Sequence, residues 1–162
     1  MNTRLGGVLS MLGSLFALFC YFLPWVTIVA VITTAGGCGV PQVTYPYYYT
    51  LTGSDMAASV LPARIPHHGL FILLPIAAIL LLITVLLNPP TRALRQFRLM
   101  LSTLASLFAL YILANIVDRI EVPNIPTSLV SIQPPKAELG LWGTFVAFVL
   151  TAIGALLDLQ EK

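Results

Sequence analysis

Four stretches of the chain contain no charged side chain: residues 5–23, 69–88, 99–117 and 139–157, each 19 or 20 residues long. At 1.5 Å of helical rise per residue each covers about 30 Å, the thickness of a bilayer's hydrocarbon core. No water is available there for backbone groups, so the stretches are expected as helices. The rest of the composition agrees. Of 162 residues, 58% are hydrophobic and 9% charged, and the mean hydropathy is +0.94. A soluble domain carries roughly 25% charged residues and could not cover this much apolar surface. The expected fold class is an all-α membrane protein, a four-transmembrane-helix bundle forming one domain over residues 1–162.

The first stretch stays apolar as far as Ile32, but Pro24 removes a helix hydrogen bond and Trp25 suits a membrane interface. Eight of the residues 25–34 are β-branched, which favours a strand. Residues 35–41, rich in glycine, read as a turn, and residues 45–52, dense in tyrosine and threonine, as a second strand. A small β-hairpin is therefore expected after the first span. A short helix over 56–61 follows, capped by Ser54 or Asp55. The apolar run from Leu5 is too long for a signal-peptide core of about 7–15 residues. Leu18 and Phe19 before Cys20 do not suit lipoprotein cleavage. The first stretch is expected to be retained as a span.

Lysine and arginine set the orientation. Arg92, Arg95 and Arg98 crowd the ten-residue loop 89–98 without an acid, and Arg4 and Lys162 share its side. By the positive-inside rule that side is cytoplasmic. The longer loops, 24–68 and 118–138, face outward, and a plasma (inner) membrane location is expected.

Small residues at four-residue spacing mark helix-packing faces: Ser10 and Ser14, Gly13 and Ala17 on the first span, Ser102 and Ser106 on the third, Gly143 and Ala147 on the fourth. The second span is nearly all Leu and Ile. Spans one, three and four are therefore expected to pack together, leaving the second more exposed to lipid. Asn115 is expected to hydrogen-bond between helices.

Trp25, Trp142, His67 and His68 read as interface anchors. The two histidines are adjacent, so on a helix they diverge by about 100° and do not readily share one ion. Tyr45, Tyr47, Tyr48 and Tyr49 form an outer cluster that fits either a partner-docking surface or an aromatic belt. Cys20 and Cys38 are expected as free thiols, and Asp118, Arg119 and Glu121 as a solvated helix end. No Asp, Glu, Lys, Arg or His falls within the four stretches, which argues against an ion-coupled transporter or proton relay. No catalytic, metal or cofactor motif is present, and a net charge of +2 without a basic block argues against nucleic acid.

At Leu23-Pro24-Trp25-Val26 the chain resembles two groups. One is the bacterial four-helix membrane proteins of unassigned activity with a Leu-Pro-Trp signature closing helix 1. Leu51-Thr52-Gly53-Ser54-Asp55 and Gly140-Leu141-Trp142 resemble their loop end and helix 4 start. The other is the claudin-like tetraspan layout of long outer loop, short cytoplasmic loop and shorter outer loop. Claudins pair two cysteines in the first outer loop, whereas Cys38 here stands alone. The resemblance implies architecture, not activity. The expected function is a non-enzymatic structural or accessory membrane protein, acting through helix packing and its outer loop beside other membrane subunits. The alternative is a transporter or channel subunit forming a pore as an oligomer, for which the third span's serines and threonines are the only support.

Overall fold

A computed structural model describes residues 3–33, 42–58, 65, 67–87, 91–120 and 130–160. It is mostly helical with a small antiparallel sheet. Helix α1 (Thr3–Tyr21) ends three residues before Pro24 and leads into strand β1 (Pro24–Thr33). Strand β2 (Thr44–Thr52) returns beside it, and the short helix α2 (Gly53–Ala58) follows. A 3-10 turn, His68–Ile72, opens helix α3 (Leu73–Leu86). Helix α4 (Arg92–Tyr111) runs on through a π-helical turn, Ile112–Ile116. Strands β3 (Val130–Ile132) and β4 (Lys136–Ala137) precede helix α5 (Leu139–Gln160). The turn expected over 35–41, with Cys38, lies outside the described residues, as do Arg64, Glu121 and the end of the expected 56–61 helix.

Three helical stretches are long and apolar enough to cross a membrane: His68–Leu86, Arg92–Asn115 and Leu139–Gln160. The apolar part of α1, Leu5–Tyr21, is shorter. Several boundaries differ from expectation, two of them at charged side chains. Helix α4 starts at Arg92, inside the stretch read as loop 89–98, and α5 continues through Asp158. Arg98 and Asp158 thus belong to helices, because each neutralises the other across the bundle instead of marking an end.

The long helices form a square. Helix α1 borders α5 and α3, and α4 borders the same two, with α1–α5 the most extensive contact. The first and third spans, expected to pack together, instead stand on a diagonal. The α1–α5 seam explains why. On α1 the buried positions Gly6, Ser10, Gly13, Ala17 and Cys20 alternate in steps of four and three. On α5 Gly140, Thr144, Ala147, Thr151, Gly154 and Asp158 do the same. That spacing keeps one face turned to an antiparallel partner, and small side chains let the backbones approach. A Cβ on Gly154 would lie 2.6 Å from the Gly6 carbonyl oxygen and 2.7 Å from the Ser10 nitrogen. A Cβ on Gly13 would meet Thr151 and the Ala147 carbonyl.

In the sheet β1 is central. It pairs antiparallel with all of β2, and on its other edge with β3 and then β4. The segment between α4 and α5, expected as plain loop 118–138, thus lends two short strands. A bulge falls at Trp25, since Pro24 faces Thr52 while Val26 faces Leu51. A bulge adds one residue to a strand and re-aims its side chain.

Candidate functional site

Two regions hold side chains that sequence reading did not place: the junction of sheet and bundle, and the opposite end of the helices.

At the junction Pro24 has no N–H to offer the carbonyl four residues back, that of Cys20. Trp25 adds a donor there, its Nε1 donating to the Cys20 carbonyl at 2.9 Å beside Leu23 N at 3.2 Å. Its backbone carbonyl accepts from Glu138 N at 2.8 Å. The indole meets Tyr21 and Phe71 edge-on, with centroids 5.7 and 6.3 Å away. Gly53 and Gly140 press against it; a Cβ on either would lie 2.8 Å from the ring. Trp25, expected as an interface anchor, is fully buried and ties α1, α2, α5 and the start of α3 together. The other anchors differ. Trp142 is half-exposed, and His67 and His68 are exposed at the start of the 3-10 turn. His67 adopts φ 54°, a left-handed conformation uncommon outside glycine.

Helix α2 is capped reciprocally. Thr52 Oγ1 accepts from Asp55 N at 3.2 Å, and the Asp55 carboxylate accepts from Thr52 N at 2.9 Å. Thr52, not Ser54 or Asp55, is the residue at the cap, with Asp55 reaching back as in a capping box.

Register sorts the sheet into two faces. Val26, Ile28, Ala30 and Ile32 share one with Leu51, Tyr49, Tyr47 and Tyr45. Near the bundle this face is core: Val26, Ile28 and Leu51 are buried. Farther along it is open, with Tyr45 and Tyr47 57% and 59% exposed and Ile32 and Ile132 also exposed. Tyr48 is exposed on the opposite face, and Tyr49 is half-buried. The four tyrosines are therefore not one cluster: alternation divides them three to one. No charged residue occurs anywhere in residues 24–53.

At the other end the Arg98 guanidinium is buried. Its Nη1 is ion-paired with Asp158 Oδ2, its Nη2 donates to the Thr84 carbonyl at 2.9 Å, and its Nε lies 3.4 Å from Thr84 Oγ1. Arg95 Nη1 donates to the Asp158 carbonyl at 2.6 Å. Gly6 makes room for the Asp158 carboxylate; any larger residue would collide with it. One clasp thus joins α3, α4 and α5 over α1. The long helices are thus not free of charged groups, but Arg98 and Asp158 neutralise each other.

The expected packing residues Ser10, Gly13, Ser14, Ala17, Ser102, Ser106 and Ala147 are buried, and Gly143 is partly so, against Cys20. Their hydroxyls turn inward to backbone. Ser14, Ser102, Ser106, Thr144 and Thr151 each donate to the carbonyl four residues earlier. Ser10 reaches another helix, donating to the Thr151 carbonyl at 3.3 Å. Asn115, expected to bridge helices, instead contacts the Tyr111 carbonyl of its own helix at 3.4 Å. Cys20 is a buried free thiol, and no metal-binding group of three or more His, Cys, Asp or Glu occurs among the described residues.

The missed residues carried a signal. Gly6, Cys20, Gly140, Gly154 and Asp158 fall on the same alternating four-and-three spacing as the residues that were found. Asp158, sharing the register of Gly154 and Thr151, had to point inward. No protein-family model matches this chain and no curated protein matches its sequence, so the geometry alone supports a functional reading.

Proposed function

We propose that this chain is a four-span plasma-membrane protein with both ends cytoplasmic, acting as a non-enzymatic structural or accessory subunit that presents its outer sheet to other membrane proteins. The open half of the sheet carries the reading. Ile32, Tyr45, Tyr47 and Ile132 form an uncharged aromatic and aliphatic face, and aromatic residues are enriched where proteins meet. The buried half fixes that face rigidly to the bundle through Trp25.

Helix α1 belongs to the spanning set because it is as deep as α5. Its contacts run from Gly6 beside Asp158 to Cys20 beside Gly143, most of the length of α5. The interior hydroxyls, already bonded to backbone, favour a packed bundle over a pore.

Extraction in mild detergent followed by native mass measurement tests the role. The expected result is co-purification with other subunits, which a photo-crosslinking residue at Tyr47 captures and one at Leu104 on α4 does not. A protein that runs only alone or with copies of itself contradicts it.

A further inference from the structure

Helix α4 carries one row of residues from its first turn to its last: Arg92, Gln96, Leu99, Thr103, Ser106 and Leu110, spaced three or four apart. From Leu99 to Leu110 the row forms one wall of an open groove of about 370 Å³, whose other wall is Phe145, Val149, Ile153 and Leu156 of α5. This length is about 16 Å, half of a hydrocarbon core of about 30 Å, so it matches the depth of one leaflet. The floor is apolar in effect. Thr103 donates to the Leu99 carbonyl at 2.8 Å and Ser106 to the Ser102 carbonyl at 2.9 Å.

Positive charge stands over one end of this groove. Arg95, one turn before Leu99, donates to the Asp158 carbonyl, Arg92 is exposed nearly a turn earlier, and the first turn of α4 contains no acid. Arg98 contributes little, since Asp158 neutralises it. An apolar slot one leaflet deep beneath two arginines has the form of a lipid with an anionic head.

We infer that the α4–α5 groove holds an acyl chain of an anionic phospholipid, whose phosphate lies at Arg92 and Arg95. The inference rests on the membrane-embedded reading above. The bound lipid would complete the α4–α5 wall and favour the leaflet on the arginine side.

The test uses the full-length protein in nanodiscs of mixed phosphatidylglycerol and phosphatidylcholine, with retained lipids identified by native mass spectrometry. Phosphatidylglycerol should be enriched over its bulk share. Arg92→Gln should reduce that enrichment by about fivefold, the weight of one arginine near a charged headgroup. Ala152→Phe, which fills the groove and leaves both arginines, should remove the retained lipid, while inorganic phosphate should not displace it from the unaltered protein. Insertion without enrichment, or enrichment unchanged by both variants, overturns this inference alone. A chain that fails to float with lipid vesicles overturns the membrane reading instead.

Discussion

The two ends of the bundle solve one problem by opposite means. Each must hold several helix ends together. At the sheet end the fastening is apolar and aromatic: Trp25 is enclosed by Tyr21, Phe71, Gly53 and Gly140 and makes one indole hydrogen bond. At the other end it is ionic, with the Arg98–Asp158 pair braced by Thr84 and Arg95. The difference lies in what happens when one member is lost. An apolar plug leaves a cavity. A buried ion pair leaves a charge without a partner, a cost that removing the second charge can largely reverse.

The largest expected effect is at the plug. Trp25→Ala should cost about 3–5 kcal/mol, read as a loss of thermal stability in detergent, and no single second substitution should restore it. Asp158→Asn should cost about 3 kcal/mol by orphaning the Arg98 charge. Adding Arg98→Met should recover more than half of that. An additive double variant would show that the pair is not a closed clasp. Gly154→Ala, which drives a methyl into the Gly6 backbone, should cost about 1–3 kcal/mol and weaken both ends, because the α1–α5 seam connects them. The smallest effect is expected for Ser14→Ala. Its hydroxyl bonds only within α1, so thermal stability should change by less than about 0.6 kcal/mol.

How far the sequence discloses this design depends on the kind of signal. Length and lack of charge located the long helices, and the β-branched run after Pro24 located β1. Helix ends were obscured at Arg98 and Asp158, where charge reads as an exit from lipid until the partner is known. That partner is 60 residues away, and nothing local reveals it. Trp25 was misplaced for a related reason. Tryptophan after proline at a span end suits an interface, and only the bulge and the two glycines from distant segments turn it inward. Small-residue spacing named seven buried positions but not the pairing of helices. Strands β3 and β4 owe their existence to the waiting edge of β1 rather than to their own composition, in keeping with how strongly strands depend on context.

We propose that α1 crosses with the other three helices and so places the sheet opposite the Arg98 clasp. Single cysteines at Asn2, Tyr48 and Arg92, introduced one at a time in a Cys38→Ser background, test it with a membrane-impermeant maleimide on intact cells. Tyr48→Cys should be labelled at once, and Asn2→Cys and Arg92→Cys only after the membrane is opened. Labelling of Asn2→Cys together with Tyr48→Cys would contradict it, since the first helix would then not cross.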